Sequence, residues 1–183
     1  MATTTNLLNW EAFEQLPDDA MHYELIEGEL IALPPPKSGH TLAAKRMYDA
    51  LTAVERQAEC VTFIEAGYKL SHDPATWIQP DVSFIREPRV RATSLDGYFL
   101  GAPELAVEVI SPSESASDVQ RKVELLLKHG SLAVWVAYPR TKKVQVHLAN
   151  GTSFSRGGTD KLTLNELLSG WELPVSVLFE LSR

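Results

Sequence analysis

The sequence predicts a mixed α/β domain in which one β-sheet is flanked by helices. Three observations carry this. Residues 104–111 read ELAVEVIS, an apolar run rich in β-branched residues and followed by Pro112, the pattern of a strand covered on both faces. Residues 115–129 then read as a helix, and 132–138 (LAVWVAY) as a second buried strand. Strand, helix and strand over 104–138 make a crossover unit, so the two strands should be parallel and the crossover right-handed. Short alternating segments on either side, joined by tight-turn signals at Glu27-Gly28 and Asn150-Gly151, predict antiparallel additions to that sheet.

The 183 residues suit a single domain, 1–183, with a sizeable core. Apolar and charged fractions of 44% and 22% are ordinary for a globular protein. The lone Cys60 excludes an internal disulfide and a cysteine-based zinc site. Five scattered histidines form no zinc pattern, and no glycine-rich phosphate loop or dinucleotide fingerprint is present. With no membrane-length apolar run and no signal-peptide pattern, the expected location is the cytoplasm. A net charge of −7 counts against a broad, sequence-independent nucleic-acid binder, but leaves room for a locally basic cleft.

Taken in order, Asn9–Leu16 is a short helix that Asn9 can cap, with Trp10, Phe13 and Leu16 at helical spacing and Pro17, Asp18 and Asp19 as its stop. Tyr23–Leu33 is a hairpin stopped by Pro34-Pro35-Pro36. Ser38–Gln57 is the longest helix, with a stripe of Leu42, Met47, Leu51 and Val54. Val61–Leu70 is strand-like, with Gly67 as a weak point, and Ser71–Pro80 reads as a loop. Asp81–Ile85 is a short strand opened by Pro80. Arg86–Gly101 reads as a polar loop whose Tyr98, Phe99 and Leu100 tuck inward. The helix at 115–129 is capped by Ser115 or Ser117, turns Leu125 and Leu126 to the core and stops at Gly130. Lys143–Leu148 pairs back on 132–138, and Asn150-Gly151 leads into Thr152–Ser155. Leu162–Leu168 reads as a short helix, and the tail from Trp171 adds an apolar edge.

One residue in this scheme is out of place. Glu108 sits mid-strand among Ala106, Val107, Val109 and Ile110, where an ionised carboxylate costs several kcal/mol unless a cation satisfies it. If strands 81–85 and 104–111 are neighbours, Asp81 and Glu108 can place two carboxylates around one divalent ion. Oxygen ligands suit Mg²⁺ or Mn²⁺, and such an ion polarises a phosphoryl oxygen for attack by water. Asp118 and Lys122 stand four apart on one face of the following helix. Structural readings stand beside these. Glu108 can pair with a buried arginine or with Lys122, Asp81 can cap a strand start, Asp118 can complement a helix N-terminus, and Lys122 can be a solvated charge.

QPDVSFI, PELAVEVISPSES, the helix carrying Asp118 and Lys122, and Gly130 followed by VWVAYP together resemble the Uma-two family of restriction-endonuclease-like proteins, placed within the PD-(D/E)XK nuclease superfamily. The resemblance runs from about Tyr23 to about His147. It implies a restriction endonuclease-like core, with Pro80-Asp81 as the PD element and Glu108 as the second acid. The superfamily lysine stands two residues after that acid, where this chain has Ile110; the resemblance makes Lys122 its substitute. Leu126 stands where family members often carry a tyrosine, and Ala133 lies where they often show an acid. The resemblance also brings in Glu24, as an additional acid from an early element, and His40, as a phosphate contact or base. Glu27 reads as a turn residue.

The implied activity is a Mg²⁺- or Mn²⁺-dependent endonuclease-like hydrolysis of DNA phosphodiester bonds. Asp81 and Glu108 would hold the metal, and Lys122 would assist at the phosphate. Lys45, Arg86 and Arg121, with Lys69, Arg89 and Arg91, would meet DNA phosphates, and two-strand cleavage points to a two-fold homodimer. The alternatives are a catalytically inactive binding or assembly module that keeps the nuclease fold, and a small-molecule phosphohydrolase.

Overall fold

The computed structural model describes residues 7–17, 22–111 and 114–180; Asp18 and Asp19 of the expected helix stop, with Pro112 and Ser113, lie outside them. Asn9 caps the first helix by accepting the Ala12 N–H at 2.9 Å, giving α1 (Trp10–Glu14). β1 (His22–Ile26) and β2 (Glu29–Leu33) form the expected hairpin. Its two turn residues, Glu27 and Gly28, have φ of 52° and 85°, the left-handed pair that a two-residue hairpin turn needs. There follow α2 (Ser38–Thr52), α3 (Glu55–Ala58), β3 (Cys60–Ile64), β4 (Tyr68–Ser71), β5 (Thr76–Ile78) and β6 (Val82–Arg86). Next come α4 (Glu87–Ala92), β7 (Phe99–Leu100), β8 (Leu105–Val109), α5 (Ala116–Lys128), β9 (Ala133–Tyr138), β10 (Lys143–Leu148) and β11 (Ser153–Gly157). β12 (Lys161–Leu164), β13 (Leu168–Pro174) and α6 (Ser176–Phe179) complete the fold.

The crossover unit is present: β8 and β9 are parallel neighbours, with Glu108 opposite Val136, and α5 joins them. β6 lies antiparallel on the other side of β8, pairing Val82 with Val107. These three strands are the centre of a six-stranded sheet ordered β11-β10-β9-β8-β6-β3. Side-chain alternation along β8 divides the core into two layers. Leu105, Val107 and Val109 pack with Met47 and Leu51 of α2, Trp135, and Leu162 and Leu173 of the β12–β13 ribbon. Ala106 packs the other way, with Val123 and Leu126 of α5 and Ile26, Tyr68 and Ile78 of a second sheet. That sheet has five strands in the order β2-β1-β5-β4-β7. Glu108 shares the Ala106 side, so it points into the layer between α5 and the second sheet. Among the described residues no helix is long and apolar enough to cross a membrane.

Several expectations need correcting. The strands do not form one sheet but two, plus the two-stranded β12–β13 ribbon. The long strand expected at 61–70 is two strands in different sheets, separated by Glu65 with φ 50° and by Gly67. Residues 71–80 are not all loop: Thr76, Trp77 and Ile78 pair with β4, and Trp77 also with Leu25 of β1, because Thr76 and Ile78 alternate inward with the half-buried Trp77. The helix expected over 38–57 breaks at Ala53 and Val54 into α2 and α3. Residues 86–101 hold α4 and β7; Leu100 faces outward, the partly exposed Tyr98 packs against Trp10 and Trp77, and Phe99 stacks on Tyr68. The expected helix at 162–168 is strand β12 and a turn. Leu162 and Leu164 are buried at period two, a signal that Leu167 and Leu168 mask in the sequence.

Gly67 leaves room for the Trp77 indole: an added Cβ would stand 2.6 Å from its ring atoms. Phe13 and Tyr98 hem that ring in, so it cannot swing aside. Gly67→Ala is therefore expected to destabilise the protein by about 1–3 kcal/mol, read as a lower urea midpoint with an unchanged slope. Cys60 is buried, and burial with the nearby Glu104 charge pushes its thiol up to about 11. The native protein should resist a thiol reagent at pH 8 and react only once unfolded.

Candidate active site

Glu108 is 6% exposed, and its Oε2 accepts a hydrogen bond from Lys122 Nζ at 2.8 Å. α5 delivers this lysine because Val119, Val123 and Leu126 lay its apolar face on the sheet, and Lys122 shares that buried face. The same Nζ lies 3.0 Å from Glu24 Oε1. Glu24 reaches in from β1 of the second sheet, is 1% exposed, and also accepts the Gln79 N–H at 3.1 Å. One ammonium thus bridges carboxylates from two sheets.

Asp81 stands just before β6, the strand beside β8, which brings it to the same end of the sheet. Its Oδ2 accepts the Val109 N–H at 2.6 Å, and its Oδ1 lies 3.1 Å from His40 Nε2. His40 comes from the first turn of α2, directly after the triple proline. Asp81, Glu108, Lys122 and His40 line one cavity of about 310 Å³, walled by Pro34–Pro36 and rimmed by Glu65, Gln79 and Glu114.

The electrostatics are those of an acid-rich, partly dry site. Burial pushes the Glu108 carboxyl well above the usual range; Lys122 opposes this, while Asp81 and Glu24 add to it. Burial works against the Lys122 charge, but Glu108 and Glu24 outweigh it and hold the ammonium protonated. For His40, burial is likewise overcome by Asp81, with help from Glu114 and Glu65, and the imidazole is raised. Three carboxylates facing one ammonium leave surplus negative charge. In addition, Glu108 Oε1 is buried with no hydrogen-bond partner. A hard divalent cation fits such a donor set. Among the described residues no three His, Cys, Asp or Glu side chains are grouped so as to hold a metal; Asp81 and Glu108 would share it with solvent, as suits Mg²⁺, which dehydrates reluctantly.

Of the residues singled out in the sequence, Asp81, Glu108, Lys122, Glu24 and His40 come together. Asp118 does not: it is exposed and bonded to the Ser115 hydroxyl at the start of α5, a helix cap. The expected phosphate contacts are occupied, all but Lys69 by acids. Lys45 pairs with Asp49 at 2.7 Å, Arg86 and Arg89 with Glu104, and Arg91 with Glu87. Arg121 holds Glu27 and Glu29 of the hairpin, and Lys69 lies over the Trp10 ring. Sequence reasoning does not find Gln79, Glu65, Glu114 or the proline wall. Gln79 and Glu114 flank the two acid-bearing strands in sequence, which is the available signal. Glu65 follows a strand break that the sequence pattern does not show.

Comparison with known proteins agrees with this architecture. A crystal structure described as "a putative nuclease belonging to DUF820" from Anabaena variabilis ATCC 29413 superposes with a TM-score of 0.82 at 23% identity, covering 94% of this chain and 97% of that one. At this identity the likeness establishes the fold. No curated protein matches the sequence. The Uma2 (Uma-two) family model, described as "Putative restriction endonuclease", matches residues 10–176, and with nearly the whole chain inside that match, the protein belongs to the Uma2 family.

Proposed function

We propose that this protein is a divalent-cation-dependent endonuclease of the PD-(D/E)XK type, a single domain that hydrolyses DNA phosphodiester bonds and works in the cytoplasm as a two-fold dimer. One observation carries the reading: the Asp81 and Glu108 carboxylates line the same cavity as the Lys122 ammonium, and one Glu108 oxygen has no partner. Mg²⁺ or Mn²⁺ held by Asp81 and Glu108 would supply Lewis-acid polarisation of a phosphoryl oxygen.

The chain's own groups do the rest. The Val109 N–H and His40 hold the two oxygens of Asp81, fixing the carboxylate's orientation before substrate arrives. Glu24 steadies Lys122 from the side opposite Glu108, so the ammonium stays close to where negative charge grows on the phosphoryl group. Lys122 comes from a helix rather than from the strand position held by Ile110, yet its Nζ reaches the second acid directly. The proline wall narrows the cavity and limits bulk water, which strengthens each of these interactions.

A second reading, an inactive module on the same fold, has one observation in its favour: Lys122 is already engaged by two acids. Against it, the acids line a cavity that opens to solvent, and Arg121 bonds to the hairpin rather than to them. Plasmid cleavage with Mg²⁺ or Mn²⁺ separates the readings. Asp81→Ala and Glu108→Ala should each lower the rate by about a hundredfold or more; equal rates in all three proteins remove the nuclease reading. Mn²⁺ should also raise the melting temperature of the wild type but of neither variant. Lys122→Ala leaves Glu24 and Glu108 facing each other uncompensated. Chemical denaturation at pH 7 without metal should show a loss of about 3–5 kcal/mol.

A further inference from the structure

Of the cations expected to meet DNA, all but Lys69, which lies over Trp10, are neutralised by carboxylates, yet another basic group is not. The end of the β9–β10–β11 meander carries Arg140, Lys142, Lys143 and Arg156. Among the described residues none of the four has a carboxylate partner; Arg156 only stacks on Phe154. Arg140, Lys142 and Lys143 are exposed. Lys142, Lys143 and Arg156 line a concavity of about 360 Å³ with the backbone of Gly157 and Gly158. Its single acid, Asp160, is turned to the Gly157 N–H at 2.9 Å. A second concavity, of about 380 Å³, shares Thr141, Lys143 and Ser155 with the first and runs on to Gln120 of α5 and to Tyr138. In a chain of net charge −7, four unneutralised cations at one sheet end stand out from an acidic surface. Among the described residues Lys37, Arg56 and Lys128 also lack a carboxylate partner, but they sit on separate elements.

Position gives this end its meaning. β8 and β9 run parallel, and Glu108 lies opposite Val136. The basic turn leaves β9 at Tyr138, so it projects from the same sheet end as the acid site, one strand away. Arg140 is four residues beyond Val136, which at about 3.3 Å per residue is at most about 13 Å along the strand. Duplex DNA presents on each strand a phosphate about every 3.4 Å of helix axis, so that span along the sheet covers at most about four phosphates. An acid-rich cavity repels a polyanion, and the cations that hold the backbone must stand outside it.

We propose that the end of the β9–β10–β11 meander, through Arg140, Lys142, Lys143 and Arg156, docks the phosphate backbone of duplex DNA and presents a neighbouring phosphodiester to the Asp81–Glu108 cavity. This rests on the nuclease reading for what happens in the cavity, but the docking surface is tested separately. Binding of a fluorescein-labelled duplex is followed by anisotropy in EDTA over a range of salt concentrations. The proteins are the wild type, Asp81→Ala, Lys128→Gln as a control, the pair Lys142→Gln/Lys143→Gln, and the fourfold variant that adds Arg140→Gln and Arg156→Gln; circular dichroism checks that each is folded.

The pair should bind about tenfold more weakly and the fourfold variant more weakly still. The slope of log affinity against log salt should fall by about one for each phosphate that is no longer neutralised, while Lys128→Gln binds as the wild type does and Asp81→Ala, which loses a repelling charge, binds no more weakly. Equal affinity and slope in the wild type and the pair overturn the docking surface, even if Asp81→Ala has abolished cleavage. Patch-dependent binding by a wild type that cuts nothing in Mg²⁺ supports the surface and removes the nuclease reading instead. Binding to phosphatidylserine vesicles with none to the duplex also overturns it.

Discussion

The bridge from Lys122 to Glu108 and Glu24 is the interaction on which the site depends. An ammonium moved out of water costs several kcal/mol, and so does each carboxylate. None of the three could occupy this layer alone. Held at 2.8 and 3.0 Å, they offset one another and tie together α5, the central strand of the large sheet and the first strand of the small one. This is a polar rivet in the same layer as the apolar contacts among Val123, Ala106 and Ile26. The apolar contacts supply the burial; the charged triad specifies how α5 and β1 meet above β8.

The rivet is incomplete, and the incompleteness falls on charged groups at a cavity wall. Most buried polar atoms have a partner. Here Glu108 Oε1 and His40 Nδ1 are buried with no partner, and a third carboxylate, Asp81, is held alongside by a backbone N–H and an imidazole. The result is an excess of negative charge at the wall of a cavity. A proton on Glu108 is one way to relieve it, which is the direction in which burial and its neighbours push that group. A divalent cation held by Asp81 and Glu108 would be another, and would supply an electrophile to the cavity.

Much of the architecture is legible in the chain because its signals are local. Period-two alternation, β-branched runs, Glu27-Gly28, Asn150-Gly151 and the Ser115 cap each act within a few residues. The failures share a cause. Whether Thr76–Ile78 is strand or loop depends on partners fifty residues earlier in β1, and the division of the strands between two sheets depends on a sharp break at Glu65–Gly67. The site follows the same rule. Glu108 announces itself by being charged in an apolar strand, and Asp81 by opening a strand that has to lie beside it. Lys122 can be placed only with the help of a resemblance, since a lysine on a helix looks alike whether it is buried or solvated. The neutralisation of Arg86 and Arg121 is not legible, because they pair with acids from outside their own elements; that of Lys45 by Asp49, four residues on in the same helix, is.

Charge is distributed over this molecule with opposite signs at one sheet end. Cavity acids suited to a cation necessarily repel a polyanion, and an overall charge of −7 extends that repulsion beyond the cavity at low salt, though screening confines it to about 10 Å at moderate ionic strength. A nuclease with such a cavity therefore needs attraction supplied close by but not within it. The parallel pairing of β8 and β9 meets this requirement by topology. Parallel strands end on the same side, so the acid at the end of one and the basic turn at the end of the next are neighbours without either entering the other's field at contact distance.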